Sequence, residues 1–218
     1  MSFTTLTHKV RRHVEDHNWQ VAVGKVCKGV CAPLYTRADY RIYRIDVSRW
    51  SDASVAPPEG FAFRMLTTSD HDGIAAVEQY AEWLSGQLHD MIAAGGLCLL
   101  ATCNGEPAGF NLATFGGVYM PLVKVHRTFA SNAAWSEHIM VYRHFRGRGL
   151  AKQIRRRMFA ELARRGTRYF YGGAETWNTT SLGLAQSLGF REIADISFRR
   201  ILGVKFHFIR RVPASDPR

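Results

Sequence analysis

The sequence predicts a chain of the α/β (α+β) class, with a mixed, mostly antiparallel twisted sheet flanked by helices and a helical extension at the N-terminus. Three observations carry this reading. A run of strand-like residues, Trp135 to Val141, leads through two alternating glycines into Leu150 to Arg165, where Leu150, Ile154, Met158 and Leu162 repeat at helical spacing. The stretch LCLLATCNGEPAGFNLATF holds an Asn-Gly pair between two apolar runs, the strongest short-range hairpin signal. Two further strand-like runs, near 190–201 and 203–210, follow Gly189 and complete the sheet.

In chain order, residues 4–16 and 18–31 read as helices, the second opening at Asn18 with Trp19, Val23, Val26 and Val30 on one apolar face. Residues 40–47 (YRIYRIDV) alternate as a strand, and a linker at 48–60 containing Pro57 and Pro58 separates residues 1–58, a basic extension, from the main domain at 59–218. FAFRML (61–66) is the domain's first strand, and Thr67 to Gly95 holds one or two helices before the hairpin. Gly116 to Ala134 is an insertion with the apolar YMPLV and the strand-like VKVHRTF, expected to border the acceptor side or to form a longer edge hairpin. RYFYGGA (168–174) is a strand, and Asn178 to Gly189 is a short helix, capped by Asn178 and ended by glycine.

The junction VYRHFRGRGLA, Val141 to Ala151, has the layout of an anion cradle. The first N–H groups of a helix lack internal partners and lie at the positive end of its dipole. Gly147 and Gly149 let the backbone approach a phosphate, and Arg146 and Arg148 add charge. The P-loop pattern G-x-x-x-x-G-K-[ST] does not occur, and the dinucleotide pattern G-x-G-x-x-G fails because Lys152 stands three places after Gly149.

What fits is R-x-x-G-x-A, read as Arg146, Gly149 and Ala151. It resembles the acetyl-CoA-binding motif of the GCN5-related N-acetyltransferase (GNAT) superfamily, with Val141, Phe145, Arg146, Gly147 and Gly149 in register and Arg143 where a proline often stands. A second segment, NTTSLGLAQSLGF, resembles the superfamily's later signature through Asn178, Ser181, Leu184, Leu188, Gly189 and Phe190. The two lie in the family order, with RYFYGGA between them.

The resemblance implies a GNAT-like fold and direct transfer of an acyl group from acetyl-CoA or another acyl-CoA to an amine. It implies cofactor contacts at Ile139, Met140, Val141, Arg146, Gly147, Arg148, Gly149, Leu150, Ala151 and Asn178, with a main-chain N–H near Met140 or Val141 as oxyanion donor. A protonated amine cannot attack, so a base is useful. Glu137, four residues before Val141 where the family often places a Glu or His, is the candidate; alternation puts it on the face opposite His138, which with Tyr142 is a weaker candidate. The family's usual leaving-group tyrosine is replaced here by Ala185, leaving Ser181 or Tyr171, acting through water, or an unassisted thiolate, whose thiol pKa is about 8.5.

The net charge of +11 is unevenly spread. Residues 59–140 are net acidic, which favours a cationic amine acceptor, and 141–168 carry the strongest basic block: Arg146, Arg148, Lys152, Arg155, Arg156, Arg157, Arg164, Arg165 and Arg168. Coenzyme A accounts for part of that charge; a solvated helix face or a surface for anionic lipid or nucleic acid accounts for the rest. No nucleic-acid motif is present. Lys9, Arg11, Arg12, Lys25 and Lys28 beside apolar faces are compatible with peripheral membrane contact or partner docking. Cys27, Cys31, Cys98 and Cys103 have neither zinc nor redox spacing and read as reduced, buried thiols with no metal. Without a signal peptide's apolar core or a spanning run, the expected compartment is the cytoplasm. The alternative to an enzyme is a CoA-binding module with weak or no catalysis, motivated by Ala185.

Overall fold

A computed structural model describes residues 34–50, 57 and 59–212 of the chain. The two helices expected at 4–16 and 18–31, the basic side chains on them, Cys27 and Cys31 lie outside the described residues. Eight strands form one sheet in the order β10-β9-β1-β8-β7-β4-β3-β2. They are β1 (Tyr35–Asp46), β2 (Phe61–Leu66), β3 (Leu97–Cys103), β4 (Glu106–Phe115), β7 (Ala133–Val141), β8 (Tyr169–Glu175), β9 (Arg191–Ile201) and β10 (Val204–Arg211), and β5 (Gly117–Met120) pairs with β6 (Val125–Thr128) in a separate hairpin. Helices α1 (His71–Tyr80), α2 (Leu88–Ala93), α3 (Leu150–Arg164) and α4 (Thr179–Ser187) flank the sheet. Every pairing in the large sheet is antiparallel except β7 with β8, so the fold class expected from sequence is the one observed.

The local reasons are those the residues suggest. Asn104 and Gly105 both take positive φ, 50° and 86°, and close the two-residue turn between β3 and β4. Helix α4 opens with the Asn178 side chain accepting the Ser181 N–H at 3.1 Å. It ends with Gly189 at φ 82°, where the Phe190 N–H bonds the Ala185 carbonyl and the Gly189 N–H bonds that of Gln186. Phe190 is thereby returned to the core, its ring 5.0 Å from that of Tyr43. The expected apolar face of α3 is buried throughout, at Leu150, Ile154, Met158 and Leu162, and Phe159 and Arg155 are buried with it.

One strand changes place relative to the sequence reading. The strand expected at 40–47 in the extension runs from Tyr35 to Asp46 and lies inside the main sheet, antiparallel to β8 on one side and to β9 on the other. The linker residues after Trp50 therefore follow the first strand of this sheet instead of preceding it. The insertion at 116–134 is the β5–β6 hairpin, and Val118, Met120 and Val123 pack with Trp135, Ile42, Ile196 and Phe198 in a second, smaller core. His207 Nε2 lies 2.9 Å from the Val123 carbonyl oxygen and helps hold it there.

Two adjacent glycines in β8 let the sheet accept large rings on both faces. Neighbouring residues of a strand face opposite sides, and a Cβ at Gly172 would stand 2.5 Å from the Tyr43 ring, one at Gly173 2.3 Å from the Tyr40 ring. Gly173→Ala is expected to lower stability by about 1–3 kcal/mol through overpacking. Gly183→Ala in α4, where a Cβ meets nothing within 4 Å, is expected to leave the melting temperature unchanged or to raise it; thermal unfolding of the two variants side by side checks both.

Candidate active site between two parting strands

Strands β7 and β8 pair in parallel only at Ala133 to Trp135, against Tyr169 to Tyr171. Beyond Trp135, β7 keeps β4 as its neighbour while β8 stays with β1. A gap opens between them, and the backbone groups of β7 that turn away from β4 face it without a strand partner among the described residues. Ile139, Met140 and Val141 line this open edge, each partly buried. Gly109 makes the close approach of β4 behind them feasible, since a Cβ there would stand 2.4 Å from the Met140 carbonyl oxygen.

At the end of β7 the chain turns through Arg143–Phe145 into α3. Gly147 and Gly149 take φ of 79° and 72°, left-handed angles that strain any other residue, and Gly149 caps the helix with no side-chain hydrogen bond. The N–H groups of Gly147, Arg148, Gly149, Leu150 and Ala151 have no backbone partner among the described residues. The Arg146 guanidinium donates from Nε to the Val141 carbonyl at 3.1 Å, so it ties the loop to the strand that leads into it. Arg148 lies 5.9 Å from the Phe145 ring centre. Such a loop can take a phosphate through main-chain donors, with cationic side chains at its rim.

The basic block expected around this loop is partly spent within the protein. Arg164 and Arg165 both pair with Glu161, Arg168 pairs with Asp46, and Arg157 stacks on the Phe63 ring at 3.9 Å. Arg155, counted from sequence among the surplus surface cations, is 4% exposed.

Glu137 sits where β7 carries one residue more than β4: Leu112 pairs with His138 and Ala113 with Ser136, leaving Glu137 as a bulge. Buried Asn111 fixes it, donating from Nδ2 to the His138 carbonyl at 2.7 Å. The bulge overturns the expectation from simple alternation. The Glu137 carboxylate accepts from the Thr114 hydroxyl at 2.9 Å, and Thr114 shares a face of β4 with Leu112, which stands opposite His138. Glu137 and His138 therefore lie on the same face of the sheet. Burial raises the Glu137 pKa, against the smaller opposing pull of the Thr114 hydrogen bond. Burial lowers that of His138, whose Nε2 accepts from the Trp83 indole at 3.3 Å, so its lone pair is engaged. Tyr142, the other weaker candidate, is buried and stacked on Tyr80 at 3.7 Å, away from the gap.

Two further residues of this face belong to no motif in the sequence. Tyr40 of β1 lies over Gly173, and burial, followed by Tyr43, Glu137 and Glu175, pushes its pKa up. Glu175 ends β8 on the same side. The only sequence signal for Tyr40 is the alternation of YRIYRIDV, which marks a strand without showing which strands it joins. Tyr171, considered for the leaving group, also faces this side, with its ring 4.9 Å from Phe129. Ser181 instead lines a small cavity on the opposite face with Tyr43, Ile139, Arg155 and Ala185. Asn178 caps α4 through its side-chain oxygen. A larger cavity, about 580 Å³ and lined by Ser48, Trp50, Phe63 and Arg157 among others, contains none of these residues.

The match to known proteins covers β7, the loop after it, α3, β8 and α4, but not β1. The model described as "Acetyltransferase (GNAT) family" matches residues 62–190. Among solved structures, the chain is similar to a GCN5-related N-acetyltransferase from Sphaerobacter thermophilus (TM-score 0.54, 18% identity, 84% of this chain and 56% of that one). It is also similar to a tandem GNAT protein from the clavulanic acid biosynthesis pathway (TM-score 0.56, 15% identity, 77% and 54%). A GNAT-family protein from Novosphingobium aromaticivorans gives TM-score 0.50 at 20% identity, over 74% and 63%. The chain thus spans less than two thirds of the length of these structures, and the likeness is one of fold. No curated protein matches the chain in sequence.

A raised carboxyl pKa in the fold favours the protonated form, so its effect on stability is most favourable at acid pH and is lost as pH rises through the folded value. Glu137→Gln is accordingly expected to be at least as stable as the parent protein at pH 7, with the advantage shrinking towards pH 4; melting temperatures across that range check the sign.

Proposed function

The chain belongs to the acetyltransferase (GNAT) family, and on that premise we propose that it is an N-acyltransferase, moving an acetyl or other acyl group from acyl-CoA directly to a primary amine. The observation that carries the reading is the gap between β7 and β8, which opens beside the N-terminus of α3, where the glycine cap offers no side-chain hydrogen bond. A coenzyme A molecule laid along it would place its pyrophosphate on the N–H groups from Gly147 to Ala151, with Arg146 and Arg148 at the rim. Its pantetheine arm would add to the free edge of β7 at Ile139, Met140 and Val141, and a main-chain N–H of that edge would meet the thioester oxygen as it becomes an oxyanion. Asn178 caps α4 through its side-chain oxygen, and its side-chain N–H is the expected polar contact to the arm.

Glu137 takes the amine proton in this reading. Its elevated pKa suits the task, since a base works best when its pKa approaches the working pH. Tyr40 and Glu175 complete the acceptor side, and two carboxylates beside a phenol suit an amine that arrives as a cation. The face is partly roofed by the β5–β6 hairpin through Phe129 on Trp135 and Tyr171. Small amines, amino sugars and peptide amines all carry the required group. Among the described residues no helix is long and apolar enough to cross a membrane.

Calorimetry with acetyl-CoA is expected to give binding at micromolar concentrations, and Gly149→Glu, which puts a carboxylate and a side chain where the phosphate would lie, is expected to abolish it. Unchanged affinity in that variant would remove the loop from the site. An amine panel with acetyl-CoA and longer acyl-CoAs, followed by release of free thiol, tests transfer; binding with a flat panel turns the reading towards a CoA-binding module. With a working acceptor, the acid limb of the pH–rate profile is expected to lie above the ordinary glutamate range, and Glu137→Gln to lower kcat by about 10²–10⁴-fold and lose that limb.

A further inference from the structure

Among the described residues, the groups that hold the Arg155 cation in the core are all neutral. Its guanidinium donates to the Ser136 hydroxyl at 2.7 Å and the Asn111 side-chain oxygen at 3.2 Å, and lies 5.4 Å from the centre of the Phe170 ring. Among the described residues it has no carboxylate partner. A buried arginine in a protein is ordinarily matched by an anion, because removing its charge from water is costly. Burial lowers the Arg155 pKa to about 10, with Tyr43 opposing that shift, so the side chain stays charged at neutral pH.

The place it faces is small and defined. Arg155 lines a cavity with Tyr43, Ile139, Ser181, Leu184, Ala185, Leu188 and Phe190, the volume of which, about 10 Å³, holds roughly one water. Among the described residues no other charged side chain lines it. Ile139 belongs to the open edge of β7, so the cavity lies immediately behind the proposed path of the pantetheine arm. Four elements meet there: β1 brings Tyr43, β7 Ile139, α3 Arg155 and α4 Ser181 with Ala185. Ala185 is a methyl group at the position where a larger side chain would fill the space. Glu137 lies on the other face of the sheet. Of the two anions that the proposed reaction creates on the donor side, the oxyanion is met by the main chain of β7, which leaves the thiolate.

Resting on the acyltransferase reading, we propose that Arg155 and Tyr43 receive the thiolate of coenzyme A as it leaves, Arg155 by its charge and Tyr43 by a hydrogen bond from its hydroxyl. When the tetrahedral intermediate collapses, the C–S bond breaks and both its electrons go to sulfur. The proton lost by the amine is on Glu137, and the sulfur stays a thiolate, taking a proton from water on release. Tyr43 lends its hydrogen without giving it up. A phenol, at about 10, is a weaker acid than a thiol, at about 8.5, and burial raises Tyr43 further. The departure from the family's motif at Ala185 is in this way answered from β1 and α3, by stabilising the leaving anion where it forms.

The test needs no acceptor amine. Coenzyme A is bound to the full-length protein and its thiol titrated by the ultraviolet absorbance of the thiolate, with the desulfo-coenzyme A complex subtracted to remove the protein's four cysteines and its tyrosines. The bound thiol is expected to titrate about one pH unit or more below 8.5, roughly a tenfold gain in ionisation. Arg155→Met, which keeps volume without charge, is expected to return it to 8.5 or higher. Arg155→Lys is expected to keep most of the shift, and Tyr43→Phe to lose part of it while coenzyme A affinity holds. A bound thiol with its ordinary pKa in the parent protein, or one lowered equally in Arg155→Met, overturns the assignment and leaves the acyltransferase reading standing. Failure of the parent protein to bind coenzyme A at all overturns that reading and this one with it.

Discussion

The parting of β7 from β8 after three paired residues is the constraint from which the rest of the site follows. A parallel pair continued to the ends of both strands would satisfy every main-chain group and leave no place for a ligand. Here each strand keeps its antiparallel neighbour, β4 for β7 and β1 for β8, so the sheet holds together while one seam opens. The cost of the unpaired edge is met by solvent or by a ligand able to pair with it. The bulge at Glu137 belongs to the same device. It sits two residues beyond the last parallel pair, increases the local bend of β7, and turns a carboxylate into the gap's margin.

The two faces of the opened seam differ in chemistry. On the side of α1 and the β5–β6 hairpin stand Glu137, Glu175 and Tyr40, which suit a cation and the removal of its proton. On the side of α3 and α4 stand Arg155, Tyr43 and Ser181, which suit an anion. The sheet separates them, and the double glycine at 172–173 lets β1 contribute one tyrosine to each side. A reaction that begins with a cationic amine and ends with a thiolate needs opposite electrostatics at its two ends. Charge placed on the wrong face would bind reactant and product badly together.

The charge carried by the chain acquires a different meaning once its partners are known. Counting residues made 141–168 a strongly basic block, a natural candidate for a polyanionic surface. In the fold, Glu161 takes two of the arginines, Asp46 a third, and Phe63 stacks on a fourth, while Arg155 leaves the surface altogether. Exposed pairs of this kind contribute little to stability, about 0–1 kcal/mol each. Their consequence here is for recognition, since less of the block is left to attract a membrane or a nucleic acid.

By itself, the sequence determined what depends on neighbours along the chain. The Asn-Gly turn, the helical face of α3, the glycine-rich junction before it, the Asn178 cap and the Gly189 stop each rest on contacts within a few residues, and each stands where the pattern put it. The family resemblance likewise rested on two contiguous motifs. What required the tertiary structure was any feature set by pairing between distant segments. Strand alternation placed Glu137 opposite His138 because a bulge is invisible without the register of β4. YRIYRIDV read correctly as a strand, but nothing local to it says that it lies between β8 and β9, more than a hundred residues away. Arg155 looked like one arginine among many because solvent exposure is a property of the assembled core. The residues that face the two sides of the seam, Tyr40 and Tyr43 on β1 and Glu175 on β8, were legible only as strand positions; that they meet is decided by the sheet.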